Sequence, residues 1–317
     1  MAPGGLQAPG AHDASLPPKN VRKDDGSIAD GVAADGVSGE APPEPRQAGA
    51  GTAPATAGNC HRDRSGVVRL RCPPAMDNWK TRSNHAVRRL LAGRSNVYLL
   101  AGHSGLILVD TGRRNRWPDL KRQLTETGVA RLDALVLTHS HFDHAENARR
   151  IRDTFRAAVI VHESEAAFLE RGDTPLPAGS VLLTRIFTPR LRRFLAPRFR
   201  YDGCPADVTV KDRLDLSPWG FNGYLLHTPG HCRGAMSVAL DDEIALVGDT
   251  MVNAGPWSVF PPFADDVAQL LESWKRLLET GCRIFLPGHG TAIGRPLLER
   301  RFEERRGSSV PTATAVP

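Results

Sequence analysis

The stretch "VLTHSHFDHAEN", residues 136–147, puts three histidines and an aspartate into six consecutive positions of a chain that has 11 His in all. His139 and His141 alternate around one residue, as extended backbone places side chains on a common face. Asp143 and His144 follow at a strand-to-helix turn, so all four side chains can converge beyond the carboxyl end of a strand, where α/β sheets carry their sites. Imidazole with carboxylate suits Zn, Fe or Mn better than Ca or Mg. A single His here would read as a turn residue or a helix cap. Four such residues in a six-residue pattern read as half of a metal site.

The other half is expected downstream, also at strand ends. Three residues qualify: His231 in the Pro-Gly turn of "HTPGHCRGAMS", Asp249 after the apolar run of "ALVGDTM", and His289 after that of "IFLPGHG". Each alone could be a turn residue, but three with the same placement favour a shared site. The remaining histidines, at 12, 61, 85, 103, 162 and 227, lack such company, and His227 is the one expected nearest the site.

These residues need elements to position them. Three strands broken by Gly and Ser are predicted at 86–92, 96–102 and 105–112, then a helix at 117–128 with an early Pro and a terminal Gly. A buried strand at 132–140 runs into the His cluster, followed by a helix at 144–155, a strand at 157–163 and a helix at 164–172. Residues 173–205 read as irregular, with six Arg interleaved among apolar residues at 185–200. The second half restarts with strands at about 221–228, 235–240 and 243–248, a helix at 265–280, a strand at 282–288 and a last helix near 294–305. Two halves, each β-rich and then α, suggest two packed sheets with helices outside.

Composition bounds the rest. Ala, Gly and Pro make up 31 of the first 60 residues, and no aromatic precedes Trp79. Such a stretch buries too little apolar surface to offset chain entropy. Residues 1–75 are therefore expected to be disordered, 76–305 to form the catalytic domain, and 306–317 to be a disordered tail. The first segment has no apolar core of a signal peptide, and no apolar run reaches membrane-spanning length. Net charge is +6, carried by 35 Arg and 6 Lys, but no nucleic-acid-binding signature accompanies it. Five widely spaced Cys without a CxxC pair argue against a disulfide framework and fit a reducing cytoplasm.

Taken together, HxHxDH at 139–144, TPGH at 228–231, GDT at 248–250 and PGHG at 287–290 resemble the metallo-β-lactamase superfamily, in the right order over roughly residues 85–292. The resemblance implies an α+β fold, a four-layer αββα sandwich with a dinuclear site between the sheets. It implies that His139, His141 and His231 hold one metal, that Asp143, His144 and His289 hold the other, and that Asp249 bridges both. The metals are expected to be two divalent ions, zinc foremost, with Fe or Mn as alternatives. A hydroxide between them would attack substrate, with Asp143 and Asp249 as the catalytic carboxylates. Cys232 adjoins His231 but is not expected to ligate.

Fold alone does not choose the substrate. Only 28 residues follow His289, which leaves no room for the glutathione-binding helical domain of glyoxalase II, and no flavodoxin domain is visible. The expected substrate is a small molecule carrying an ester, lactone or thioester carbonyl. A phosphodiesterase or nuclease of the same superfamily, gripping phosphate with the 185–200 arginines, and a β-lactamase are the alternatives. Trp257, Phe260 and Phe263, in the loop after Asp249, are expected to line the substrate entrance, together with the 185–200 segment.

Overall fold

The computed structural model describes residues 61–62, 68–69, 77–174, 199–255 and 257–308. Two seven-stranded sheets form the framework, and each is built from one half of the chain. The first holds β1 (Asn78–Lys80), β2 (Ala86–Leu91), β3 (Val97–Ala101), β4 (Leu106–Val109), β5 (Ala134–Val136), β6 (Ala158–His162) and β7 (Val208–Val210), in that spatial order. Pairing is antiparallel from β1 to β4 and parallel from β4 to β7. The parallel steps are made by crossovers through α1 (Trp117–Glu126), the pair α2 (Phe142–Ala145) and α3 (Ala148–Phe155), and α4 (Glu163–Arg171).

The second sheet holds β8 (Arg213–Asp215), β9 (Gly223–His227), β10 (Met236–Leu240), β11 (Ile244–Ala254), β12 (Trp257–Val259), β13 (Ile284–Gly290) and β14 (Ile293–Gly294). Its main order is β8-β9-β10-β11-β13-β14, with β12 paired to β11. Helix α5 (Val267–Glu279) connects the parallel strands β11 and β13, and α6 (Arg295–Ser308) follows β14.

The layers can be read from alternation along single strands. In β3, Val97, Leu99 and Ala101 join the core under α1 and α3, whereas Tyr98 and Leu100 face the second sheet. The inter-sheet core gathers Val109, Val136 and Ile160 from one sheet and Leu225, Val238 and Leu246 from the other. A third cluster packs α5 and α6 on the outer face of the second sheet, around Trp274, Leu277, Phe285 and Phe302. These three apolar layers separate the four layers of an αββα sandwich, the α+β architecture expected. No described helix is long and apolar enough to cross a membrane.

Several elements differ from expectation for local reasons. The helix predicted at 144–155 is interrupted at Asn147, whose amide donates to the carbonyls of Thr111, Gly112 and Arg113. The His144 carbonyl is likewise taken, by the backbone and hydroxyl of Thr111. Loop contacts thus replace helix bonds beside the His cluster. Strand β11 does not stop before Asp249 but continues to Ala254, and its pairing with β13 is irregular between Leu246 and Gly248 and between Gly248 and Val252. Strands β1, β7, β8, β12 and β14 had no expected counterpart; each has only two or three residues. A two-residue strand pair, His61–Arg62 with Val68–Arg69, falls within the stretch expected to be disordered. The rest of residues 1–75, and the 185–200 segment up to 198, lie outside the described residues. The last helix runs to Ser308, three residues past the expected catalytic-domain boundary at 305.

Candidate metal centre

All seven histidines and aspartates singled out in the sequence meet at one end of the sandwich. The first sheet contributes the loop after β5 and the turn of α2. The second contributes the turn after β9, the irregular middle of β11 and the end of β13. Among the described residues they form three overlapping groups whose ligand atoms lie within 4.8 Å of one another: His139, His141 and His231; His139, His144 and Asp249; Asp143, His144 and His289. Asp249 lies between the outer two. Its Oδ1 is 3.3 Å from His144 Nε2, and its Oδ2 is 3.2 Å from His289 Nε2 and 3.8 Å from His231 Nε2. Asp143 Oδ2 is 3.4 Å from His289 Nε2 and 3.9 Å from His144 Nε2. Zn–N bonds of 2.0–2.1 Å in a tetrahedron put ligand atoms about 3.3 Å apart, so these separations match ligands arranged around a shared ion.

Ring orientation supports the same reading. Asp110 can only accept, so His144 presents its Nδ1–H to Asp110 Oδ2 at 2.8 Å. The Thr138 hydroxyl donates to the same carboxylate, leaving its oxygen to accept from His139 Nδ1 at 3.1 Å. His231 Nδ1 donates to the Phe263 carbonyl at 2.9 Å. Each ring is thereby turned so that Nε2 faces the centre, the outer-shell arrangement that orients metal-binding imidazoles. His141 differs, with its Nδ1 meeting His231 Nε2 at 3.0 Å. The Nε2 atoms of His139, His141 and His144, and Asp249 Oδ1, are buried without a hydrogen-bond partner. Orphaned buried acceptors are costly. Three of these four, with His141 Nδ1, face the space a cation would fill, and this donor set fits a divalent transition metal.

Charge in the site is polarised. Burial and neighbouring imidazoles hold His139 well below its usual pKa, and burial with His231 takes His141 down to about 3. Burial acts the same way on His144 and His289, but carboxylates overcome it. Asp249, Asp110 and Asp143 hold His144 well above its usual value, while Asp249 and Asp143 raise His289 to about 10. Burial opposes ionisation of Asp143 and Asp249, yet the adjacent imidazoles keep both below the ordinary carboxylate range. The carboxylates thus make this side of the site favour positive charge, which bound cations would supply.

The backbone leaves little slack. A Cβ on Gly288 would lie 2.4 Å from Asp249 Oδ1 and 2.7 Å from His144 Cε1, so only glycine fits beside His289. Asn96 and Tyr98, on the first sheet, donate to the Pro287 carbonyl at 2.8 and 2.9 Å and hold the His289 segment of the second.

The expected substrate contacts divide. Phe260 is not at the site: it is buried in the outer core with Trp274, ring centroids 6.0 Å apart, and Arg305 caps its face. Phe263 is 38% exposed, on the loop whose carbonyl orients His231. The side chain of Trp257 lies outside the described residues. Cys232 is buried, and its thiol is pushed well up by burial and then by Glu165. His227 stacks on His162 at 4.0 Å and joins none of the three groups. Asp110, Thr138, Asn96 and Tyr98 were not anticipated. For Asp110 the signal was present, a carboxylate directly after the apolar run "LILV", the same pattern that singled out Asp249.

A family model of the metallo-β-lactamase superfamily matches residues 90–289, and the chain belongs to that superfamily of metallo-hydrolases. Among similar proteins, a probable metallo-hydrolase of Methanocaldococcus jannaschii is 26% identical over 202 residues, 62% of this chain and 87% of that protein. An atrochrysone carboxyl ACP thioesterase of Aspergillus fumigatus is 28% identical over 201 residues, 63% of this chain but only 51% of the thioesterase. A solved metallo-β-lactamase structure from Cronobacter sakazakii shares the fold at 21% identity, with a TM-score of 0.52 over 70% of this chain and 89% of that one.

Proposed function

We propose that the protein is a hydrolase of ester, thioester or lactone carbonyls that works with two divalent ions, zinc foremost. The observation that carries this reading is the pair of buried, unpartnered Nε2 atoms of His139 and His144 converging with Asp249 Oδ1 beside the His141 and His231 rings. His139, His141 and His231 would hold one ion, Asp143, His144 and His289 the other, with Asp249 reaching both groups. When bound, the ions lower the pKa of water toward about 7 and polarise the scissile carbonyl. The chain's own part is orientation. Asp110, Thr138 and the Phe263 carbonyl set the imidazole tautomers, and Gly288 allows Asp249 and His144 to approach. Phe263, exposed beside His231, offers apolar contact to an acyl group. The similarity to a thioesterase supports a carbonyl substrate over a phosphodiester.

Metal analysis of protein purified without chelator tests the first part, with two equivalents expected. A panel of p-nitrophenyl esters, thioesters and lactones against bis-p-nitrophenyl phosphate tests the second. The carbonyl substrates should turn over at least about tenfold faster, with Asp249→Ala inactive on all, as loss of the shared carboxylate dismantles both groups. Dominant phosphodiester turnover would reject the carbonyl reading in favour of the phosphodiesterase alternative.

A further inference from the structure

Glu165 is a buried carboxylate, 2% exposed, on the first turn of α4, and it is no member of the metal-binding groups. Both its oxygens are occupied. Oε2 accepts from the Ser140 backbone N–H at 3.2 Å and from the Ser140 hydroxyl. Oε1 accepts from the Gly234 backbone N–H at 3.2 Å. Ser140 stands between His139 and His141; Cys232 and Gly234 closely follow His231. The fit is close, since a Cβ on Gly234 would come within 2.3 Å of Glu165 Cγ. The Tyr201 hydroxyl completes the clamp by donating to the Ser140 carbonyl at 2.8 Å.

These contacts join the two halves of the sandwich. His139 and His141 come from the first sheet and His231 from the second, yet His141 Nδ1 and His231 Nε2 must stay 3.0 Å apart to face one ion. We propose that Glu165 is a positioning residue that fixes the "HSH" loop against the "HCRG" turn and so assembles the three-histidine half of the centre. The inference rests on the dinuclear reading above. It explains why a carboxylate is buried here at the cost of its hydration: every contact it makes is from a donor, and two are backbone N–H groups that no other side chain satisfies.

The isostere tests this sharply. In Glu165→Gln, one oxygen position becomes an NH₂. Because each position faces a backbone N–H, either amide orientation sets donor against donor, at Ser140 or at Gly234. The full-length chain is titrated with Zn²⁺ against a chromogenic chelator, and the metal-free protein is melted in parallel. Wild type should take two equivalents. Glu165→Gln should bind one of them about 10- to 100-fold more weakly, the range for lost outer-shell support, and keep the other within about twofold. Co²⁺ substitution should show the matching loss of absorption from one of two ions. Leu169→Ala, fully buried on the same helix, is the control for simple destabilisation. It should lower the apoprotein melting temperature and leave both zinc affinities unchanged. If Glu165→Gln does not fold, Ser140→Ala removes one hydroxyl donor only and should weaken the same equivalent by a smaller factor. Wild-type zinc affinities in the folded Glu165 or Ser140 variant, or an equal loss in Leu169→Ala, would overturn the proposal and leave the dinuclear site intact. A wild-type chain that takes up no metal rejects the dinuclear reading, and this inference with it, before any variant is compared.

Discussion

Replacing Asp110 by Asn changes one atom and should disable His144 as a metal ligand, although Asp110 itself belongs to none of the three ligand groups. Asp110 sits at φ +61°, a left-handed conformation that Asn tolerates nearly as well as Asp, so the backbone has no reason to move. The carboxylate accepts the Thr138 N–H at 2.8 Å on Oδ1 and His144 Nδ1–H at 2.8 Å on Oδ2. If the Asn carbonyl keeps Thr138, the new NH₂ faces His144 Nδ1. His144 must then carry its proton on Nε2, which points at Asp249 and cannot ligate. If the amide flips, two donors collide at the Thr138 N–H, which costs about 1–3 kcal/mol. At about 1.36 kcal/mol per factor of ten, that is roughly 5- to 150-fold in affinity. It overlaps the 10- to 100-fold loss typical when an outer-shell partner of a metal-bound His is removed. The apoprotein should suffer less, because there a His144 Nε2–H finds Asp249 Oδ1 at 3.3 Å. Chelator competition on metal-loaded protein, alongside melting curves of the apoprotein, separates the two effects. Wild-type zinc affinity in Asp110→Asn would refute the claim that Asp110 sets the His144 tautomer.

Phe260→Ala should cost about 3–5 kcal/mol of stability, as for a buried aromatic truncation, and leave metal content at two equivalents, since Phe260 packs on Trp274 rather than on the site. Gly288→Ala should lower metal occupancy while the apoprotein still folds, because its Cβ displaces Asp249 Oδ1 and His144; unchanged occupancy would show that the strand end yields. The pKa of His227 is lowered by burial, with His162 adding to the effect. The unfolded chain then binds the proton more readily, so this contribution to stability is complete above the unfolded value of about 6.5 and is lost as pH falls below it. His227→Gln should therefore melt with a flatter pH dependence than wild type between about pH 7 and 5, and an unchanged slope would count against it.

The seven site residues were legible because chemistry and periodicity coincide there. His139, Asp249 and His289 each end an apolar run, and only a site explains several histidines at strand mouths. The inter-sheet packing was legible only as a layer count, since a continuous buried strand such as β11 shows no period that marks its end. Asp249 looked like the first residue beyond a strand, whereas the strand continues past it through a pairing irregularity that no propensity signals. The break at Asn147 was hidden for a related reason. Its cause is three loop carbonyls more than thirty residues upstream, which helical spacing cannot reveal. Phe260 was misplaced because an aromatic after a ligand reads alike whether it faces a pocket or a core.

The supporting residues show what kind of object the site is. Asp110 and Thr138 come from the first sheet and orient ligands of that same sheet, so the "HSHFDH" segment is held in shape locally. His289 is held differently, by Asn96 and Tyr98 reaching across to the Pro287 carbonyl. His231 is held by Phe263, within its own sheet. Contacts that cross the sandwich, from Tyr98 to the Pro287 carbonyl and from Glu165 to Ser140 and Gly234, join the two sets of ligands over a shared apolar layer that resists small shifts because it is close-packed. Each half of the chain carries an incomplete set of ligands, and it is the packing of the two sheets that turns two partial sets into one centre.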